Sequence, residues 1–304
     1  MTEAQSQDRA ASQETAQTGG GHIDSASLWG DAWKQLRRNP FFVISALLVV
    51  LFVVMAIAPQ LFTGTDPRSC DLSRSLERPS ADHWFGFDLQ GCDYYARVIY
   101  GARASIAIGL AVMFLSAFVA VVLGLVAGYY GKVQDAIISR FADLVFALPF
   151  LLGAIVFLSV IERRAIPQVA GVLIVFSWPI MTRIMRSSVM SAKNADYVSA
   201  AKVLGGSDYR IMRKHILPNS LAPLVVYSTV FVGLIIAAEA SLTFLGVGLQ
   251  LPSISWGLQL AGARARIMTD PHLLFFPGVF VALTVFAFVL MGDALRDALD
   301  PKLR

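Results

Sequence analysis

Glu239 directly follows an uncharged run over residues 216–238, so its carboxyl stands at or near membrane depth. An ionisable side chain there is costly and is by default a candidate for a solute path. The plainer alternatives are a helix-end residue at the outer interface, or an internal partner for a backbone group. Asp143 immediately precedes the uncharged run at 144–161. It raises the same question, with a structural pair to Arg140 or a neighbour as the plainer answer. These two are the candidate translocation-pathway residues. Cys70 and Cys92 are the only two cysteines, too few for a cysteine-rich metal or disulfide scaffold. Both fall in one loop, with 21 residues between them, where an oxidising compartment permits a disulfide. Two free thiols are the alternative, and the confinement of both to one loop favours the pair.

Other chemistry finds no foothold. His22, His83, His215 and His272 share no metal-ligand spacing, so no metal is assigned. No Ser, His and Asp grouping suggests nucleophilic catalysis. No Walker-type phosphate loop, HExxH pair or GxGxxG occurs; Gly246-Val247-Gly248 comes nearest, with Leu251 where the last glycine should be. The chain is expected to be no enzyme, to hold no cofactor and to bind no nucleic acid.

The elements around these residues read as membrane helices. Of 304 residues 56% are hydrophobic, above the 45–50% or so usual in soluble domains. The excess is gathered in six uncharged stretches at 41–62, 104–131, 144–161, 165–182, 216–238 and 273–292. A helix needs about 20 residues to cross the hydrocarbon core, so the expected fold is an all-α, polytopic bundle with six transmembrane helices. Ala120, Gly124 and Gly128 recur at four-residue spacing, which lets helix backbones approach closely in lipid. The first stretch is not a cleaved leader: it is too long, starts about 40 residues in, and has Pro59 just after the would-be cut.

The division that follows is a disordered tail over 1–23, an amphipathic interfacial helix over 24–40, the first span, a loop over 63–103, a five-helix core over 104–297, and a tail over 298–304. The interfacial helix carries Leu28, Trp29, Ala32, Trp33 and Leu36 at helical spacing beside Lys34, Arg37 and Arg38. With the N-terminus inside and the tail over 1–23 left aside, the inside segments hold fifteen Lys and Arg and the outside ones nine. The positive-inside rule therefore puts both termini in the cytoplasm and 63–103 outside.

The most informative inside segment is 191–219. Asp196 is a good N-cap and Gly205 a good helix stop, enclosing about two turns of small and apolar residues. Ser207 and Asp208 can then start a second, basic helix that ends at Pro218. A short helix of small residues between two spans looks like a docking knob.

This segment resembles the EAA loop of ABC importer permeases. Ala200, Ala201, Gly205, Leu217 and Pro218 fall in register with that signature, while Ser199 replaces its glutamate. The sequence from His215 to Asn219 is the form expected in the peptide-importer branch. Trp84 to Asp93, then Tyr100-Gly101-Ala102-Arg103, look like the segment before the second span of dipeptide, oligopeptide and nickel permeases, with Phe87 and Cys92 as departures. Glu239 to Gly248, Trp256-Gly257 and Gly292 to Pro301 also match family stretches. The resemblance covers nearly all of 35–304 and implies the C-type permease subunit of that family, with the type I ABC importer fold, in a bacterial plasma membrane.

The resemblance further implies partners: a homologous B-type permease, two cytoplasmic ATPase subunits holding ATP and magnesium, an exterior substrate-binding protein, and membrane lipids. Asp196, Tyr197, Ser199, Ala200, Ala201, Gly205, Leu217 and Pro218 would form the ATPase-coupling segment. Substrates in the family include peptides, nickel chelates and haem, and peptide is the expected one here. A different class, the ion-coupled secondary transporter, would have to rely on Asp143 and Glu239 as its midplane groups.

Overall fold

A computed structural model describes residues 28–299. The expected tail over 1–23, residues 24–27 of the interfacial helix, and the chain beyond Leu299 lie outside the described residues. Within them the chain is helical, with only two isolated bridges and no strand. Helix α1 (Leu28–Leu36) lies before the first span, and Arg37 stacks its guanidinium 4.8 Å from the centroid of the Trp33 ring. Helix α2 (Pro40–Ile57) is capped by Asn39, whose side chain accepts from the Phe41 and Phe42 amides. The span ends at Ile57 and not at 62, because Ala58 and Pro59 break it into a short 3-10 turn. Arg103 donates to the Ala56 and Ile57 carbonyls left over there, at 3.1 and 3.2 Å.

Helix α3 (Tyr94–Tyr130) begins ten residues before the expected start at 104, so the loop before it is correspondingly shorter. Asp93 is the reason: its carboxylate accepts from the Ala96 amide at 2.8 Å and fixes the first turn. The next expected span, 144–161, is broken. Helices α4 (Lys132–Phe146) and α5 (Phe150–Val160) meet at a 78° bend around Pro149, which has no amide hydrogen to continue the first helix. Counting this pair as one, six elements are long and apolar enough to cross a membrane; without it there are five.

Helix α6 (Ile166–Ala192) outruns its expected end at 182. It packs on α3 more extensively than any other pair. The small residues of α3 explain this. A Cβ on Gly124 would lie 2.7 Å from Met185 Cβ, and one on Gly128 would lie 2.7 Å from Val189 Cβ. Ala120 is fully buried in the same stripe. The α6 residues Phe176, Met181, Met185 and Val189 join Ile108 and Val112 of α3 in the main apolar core.

A short helix α7 (Asp196–Val203) follows, then α8 (Asp208–Ile211), a π-helical turn (Met212–Ile216), and α9 (Leu217–Phe244). No separate basic helix ends at Pro218, as had been expected. The missing amide of Pro218 is absorbed by the wider turn, in which the Leu217 amide reaches back to the Met212 carbonyl. The path from Asp208 to Phe244 is therefore one span-length rod. Helix α10 (Trp256–Ala263) sits beside the ends of α3 and α9, and α11 (His272–Leu299) closes the bundle against α9 and α2.

Candidate functional site

The segment 191–219 folds as an anchored protrusion. Its inward side joins the main core through Val198, Ile211 and Ile216, all fully or almost fully buried, with Ala201 and Leu217 packed against them. Asp196 does not cap α7. Ala195 holds that position without a side-chain bond, and Asp196 occupies the first turn, where its charge suits the helix dipole. The end of α7 is closed by a two-bond left-handed turn. Gly206 donates to the Ala201 carbonyl and Gly205 to the Lys202 carbonyl, both at 3.0 Å. Gly205 has φ +76°, a conformation costly for residues with a Cβ.

The outward side of the protrusion holds Tyr197, Ser199, Ala200, Gly205 and Pro218, all exposed. It also holds two residues the sequence reading passed over. Val203 and Leu204 are 88% and 87% exposed, an apolar tip at the far end of α7. Tyr209 adds a third exposed apolar side chain. Two hydrogen bonds brace the protrusion to the end of α3. Tyr129, at the end of α3, donates its hydroxyl to Asp208 at 2.6 Å. Lys193 donates to the Gly128 carbonyl at 2.8 Å, next to a bidentate pair between Arg186 and Asp135. The signal for Tyr129 was present in the sequence, as a tyrosine pair closing an apolar run beside Lys132.

The two pathway candidates separate. Asp143 pairs with Arg183 of α6 at 2.6 Å, not with Arg140, and both partners are about half exposed. One turn further into the bundle lies an apolar cavity of about 440 Å³ at the α4–α5 bend, lined among others by Phe146, Phe150, Phe176, Ile180, Tyr227 and Phe231. Glu239 lines neither this cavity nor a second one of about 450 Å³ beside Asp88 and Gln90. It is 0% exposed, and its carboxylate accepts from Thr243 at 2.9 Å, Ser105 at 3.1 Å and Ser255 at 3.4 Å. Its partners are thus side-chain hydroxyls rather than backbone groups, and it lies inside the bundle rather than at its surface.

The loop between α2 and α3 is stapled by a disulfide between Cys70 and Cys92. Asp88 accepts from the Gln90 and Cys92 amides at 2.8 and 2.9 Å and pairs with Arg97. His83 lies 2.8 Å from the second oxygen of Asp93. On the exposed face of the loop, the hydroxyl and amide of Ser73 hold the Asp71 carboxyl below the usual carboxylate range. Gly86 and Gly91 have φ of +70° and +71° and are turn positions, while Asp88 is a turn acceptor and Asp93 the cap of α3.

Comparison with known proteins gives the geometry a context. Residues 120–304 match the family described as binding-protein-dependent transport system inner membrane component. Residues 27–79 match the N-terminal transmembrane domain of oligopeptide transport permease C. A dipeptide transport system permease of Alkalihalophilus pseudofirmus is 38% identical over 280 residues, covering 92% of each chain. An oligopeptide transport system permease of Bacillus subtilis is 38% identical over the same length and coverage. A glutathione transport system permease of Pectobacterium atrosepticum is 37% identical over 277 residues, covering 91% of this chain and 92% of its own. In fold, the chain is similar to an amino acid ABC transporter solved by crystallography, with a TM-score of 0.50 at 15% identity, over 69% of this chain and 94% of that one.

Proposed function

This chain belongs to the family of binding-protein-dependent transport system inner membrane components, and from that premise we propose that it carries di- and oligopeptides into the cell as the C-type half of a two-permease pore. A multi-pass membrane permease of an ABC importer is not itself an enzyme, and ATP is hydrolysed by separate subunits. The proposal adds where those subunits dock. The supporting observation is the protrusion at 191–219, with a buried inner side, two braces to α3 and an apolar tip at Val203 and Leu204. An exposed apolar tip on the water side of a membrane protein marks a contact surface.

In this reading two ATPase subunits grip α7 and its counterpart on a B-type permease. Closure of the ATPases on ATP and magnesium pulls both protrusions and switches the pore from inward-open to outward-open. An exterior binding protein then delivers the peptide. The apolar cavity at the α4–α5 bend is the proposed half of the pathway contributed by this chain, with Asp143 and Arg183 at its cytoplasmic end. A lining with no unpaired charge suits a pore that passes peptides of varied side chains. Peptide is favoured as the substrate because the similar dipeptide, oligopeptide and glutathione permeases are all named for peptides. The protein is placed in a bacterial plasma membrane with the N-terminus and the protrusion cytoplasmic and the disulfide-stapled loop outside.

The test is uptake by proteoliposomes holding both permeases and both ATPases, with the binding protein added outside. Labelled di- and tripeptides should accumulate only with internal ATP. Accumulation of a nickel chelate or haem in place of peptide would overturn the substrate. Uptake driven by a proton or sodium gradient without ATP would overturn the mechanism.

A further inference from the structure

The rod made by α8, the π-helical turn and α9 is held to α3 at two points. At the cytoplasmic end, Tyr129 of α3 bonds Asp208. At the outer end, Ser105 of α3 bonds Glu239. Ser105 and Tyr129 are 24 residues apart on one helix, about 36 Å at helical rise. Among the described residues, the bond to Ser105 is the one side-chain hydrogen bond between α9 and another membrane-crossing helix. Glu239 also receives the hydroxyl of Ser255, the residue that caps α10 by accepting from the Leu258 amide at 3.1 Å. Helix α10 is in turn fixed to α3, where Trp256 and Gln259 donate to the Val98 and Arg97 carbonyls at 2.9 and 2.6 Å. One buried carboxylate thus closes a triangle of α3, α9 and α10.

The surroundings are built for that junction. A Cβ on Gly257 would lie 2.8 Å from Thr243 Cβ and 3.1 Å from the Glu239 carboxylate, so α10 fits against α9 only with glycine there. Thr243 donates to Glu239 and accepts the Leu249 amide at 3.1 Å, tying the chain beyond α9 into the same node. Arg164 secures the other side of that stretch, with its Nε on the Gly248 carbonyl at 3.1 Å. A carboxylate sealed from water and from both cavities does not meet a passing solute. What it can do is hold three elements in fixed relation, since buried acceptors with three donors are strong and directional.

We propose that Glu239 is a positioning residue for transport: it locks the outer end of α9 to α3 and α10, so that motion entering at the protrusion reaches the outer mouth of the bundle. This rests on the reading of residues 191–219 as the place where the ATPases act. The rod can transmit a pull only if its outer end is fixed to what must move. Without the node, α9 can slide or rotate against α10, and the outer mouth loses its link to the ATP cycle. Glutamine preserves most of the node, because its carbonyl oxygen still accepts from Ser105 or Ser255. Alanine removes it.

The experiment measures peptide uptake and ATP hydrolysis separately, in proteoliposomes of the full complex, for wild type, Glu239→Gln, Glu239→Ala and the double variant Ser105→Ala/Ser255→Ala. The expected result is that Glu239→Ala hydrolyses ATP within about twofold of wild type while uptake per ATP falls about tenfold or more, the scale of a coupling free energy between sites. Glu239→Gln should keep most of the wild-type ratio, and the double variant should fall between. The double variant also serves if Glu239→Ala does not assemble. Unchanged uptake per ATP in both Glu239→Ala and the double variant would overturn the inference. So would equal loss of coupling in Glu239→Gln and Glu239→Ala, which would make the role one of charge. A wild-type complex that hydrolyses ATP but carries no peptide would sink the transport reading and this inference together, whereas normal wild-type uptake with an indifferent node sinks the inference alone.

Discussion

Gly124 and Gly128 are residues whose part could be read from spacing alone, and the contact they make with Met185 and Val189 has an energetic consequence. A larger side chain at Gly128 must displace Val189 Cβ, which lies 2.7 Å from where its first carbon would sit. Overpacking of this kind costs about 1–3 kcal/mol. Gly128→Leu should therefore lower the thermal midpoint of the purified protein in detergent. Gly171→Leu, at a site with nothing within 4 Å of a Cβ, should not. Equal midpoints for the two would show that α3 and α6 do not meet as described. Other residues were only half legible. The buried carboxylate of Glu239 could be suspected from its apolar neighbours, but its three hydroxyl partners come from positions as far apart as 105 and 255. No local pattern pairs those. Asp143 was expected to pair with Arg140 or a neighbour, and its partner is Arg183 of α6, which sequence distance alone does not single out. Val203 and Leu204 lie inside the segment expected to dock, but spacing does not say which of its residues face outward.

At the scale of elements, uncharged runs located the spans, but their ends were set by polar residues. Asp93 started α3 early, Ala58 and Pro59 stopped α2 early, and Pro149 split one expected span into two. Hydropathy carries no information about caps or bends, so these boundaries were not available from it. Pro218 misled for the opposite reason, since a π-helical turn can carry a rod through a proline that would ordinarily end it. The brace between α3 and α8 makes an element-scale prediction. Removing the Tyr129 hydroxyl deletes its bond to Asp208 and leaves the ring in place, a loss of about 1 kcal/mol. Tyr129→Phe should loosen the protrusion, seen as faster amide hydrogen exchange over residues 196–211 with no change in α11. Unchanged exchange in the protrusion would mean that the hydroxyl does not brace it.

For the whole molecule, the account needs the protrusion and the stapled loop on opposite sides of the membrane. A cysteine placed at the exposed Ser207, with the native pair left in its disulfide, should react with a membrane-impermeant maleimide only after the cells are opened. Reaction in intact cells would invert the orientation. The family and the helical membrane class were legible because they rest on long runs and on motifs contiguous in sequence. The node at Glu239 and the apolar tip were not, because both depend on how distant segments fold together. The central claim is that ATP hydrolysis enters through α7 at its exposed tip. Val203 and Leu204 are almost wholly exposed and pack on nothing in the bundle, so aspartate at both positions leaves the bundle undisturbed while removing the apolar contact. The most direct test is affinity purification of the Val203→Asp/Leu204→Asp permease with its B-type partner, scoring the ATPase subunits that come with it. The account predicts an intact permease pair stripped of ATPases, and full recovery of both ATPases with wild-type peptide uptake would contradict it.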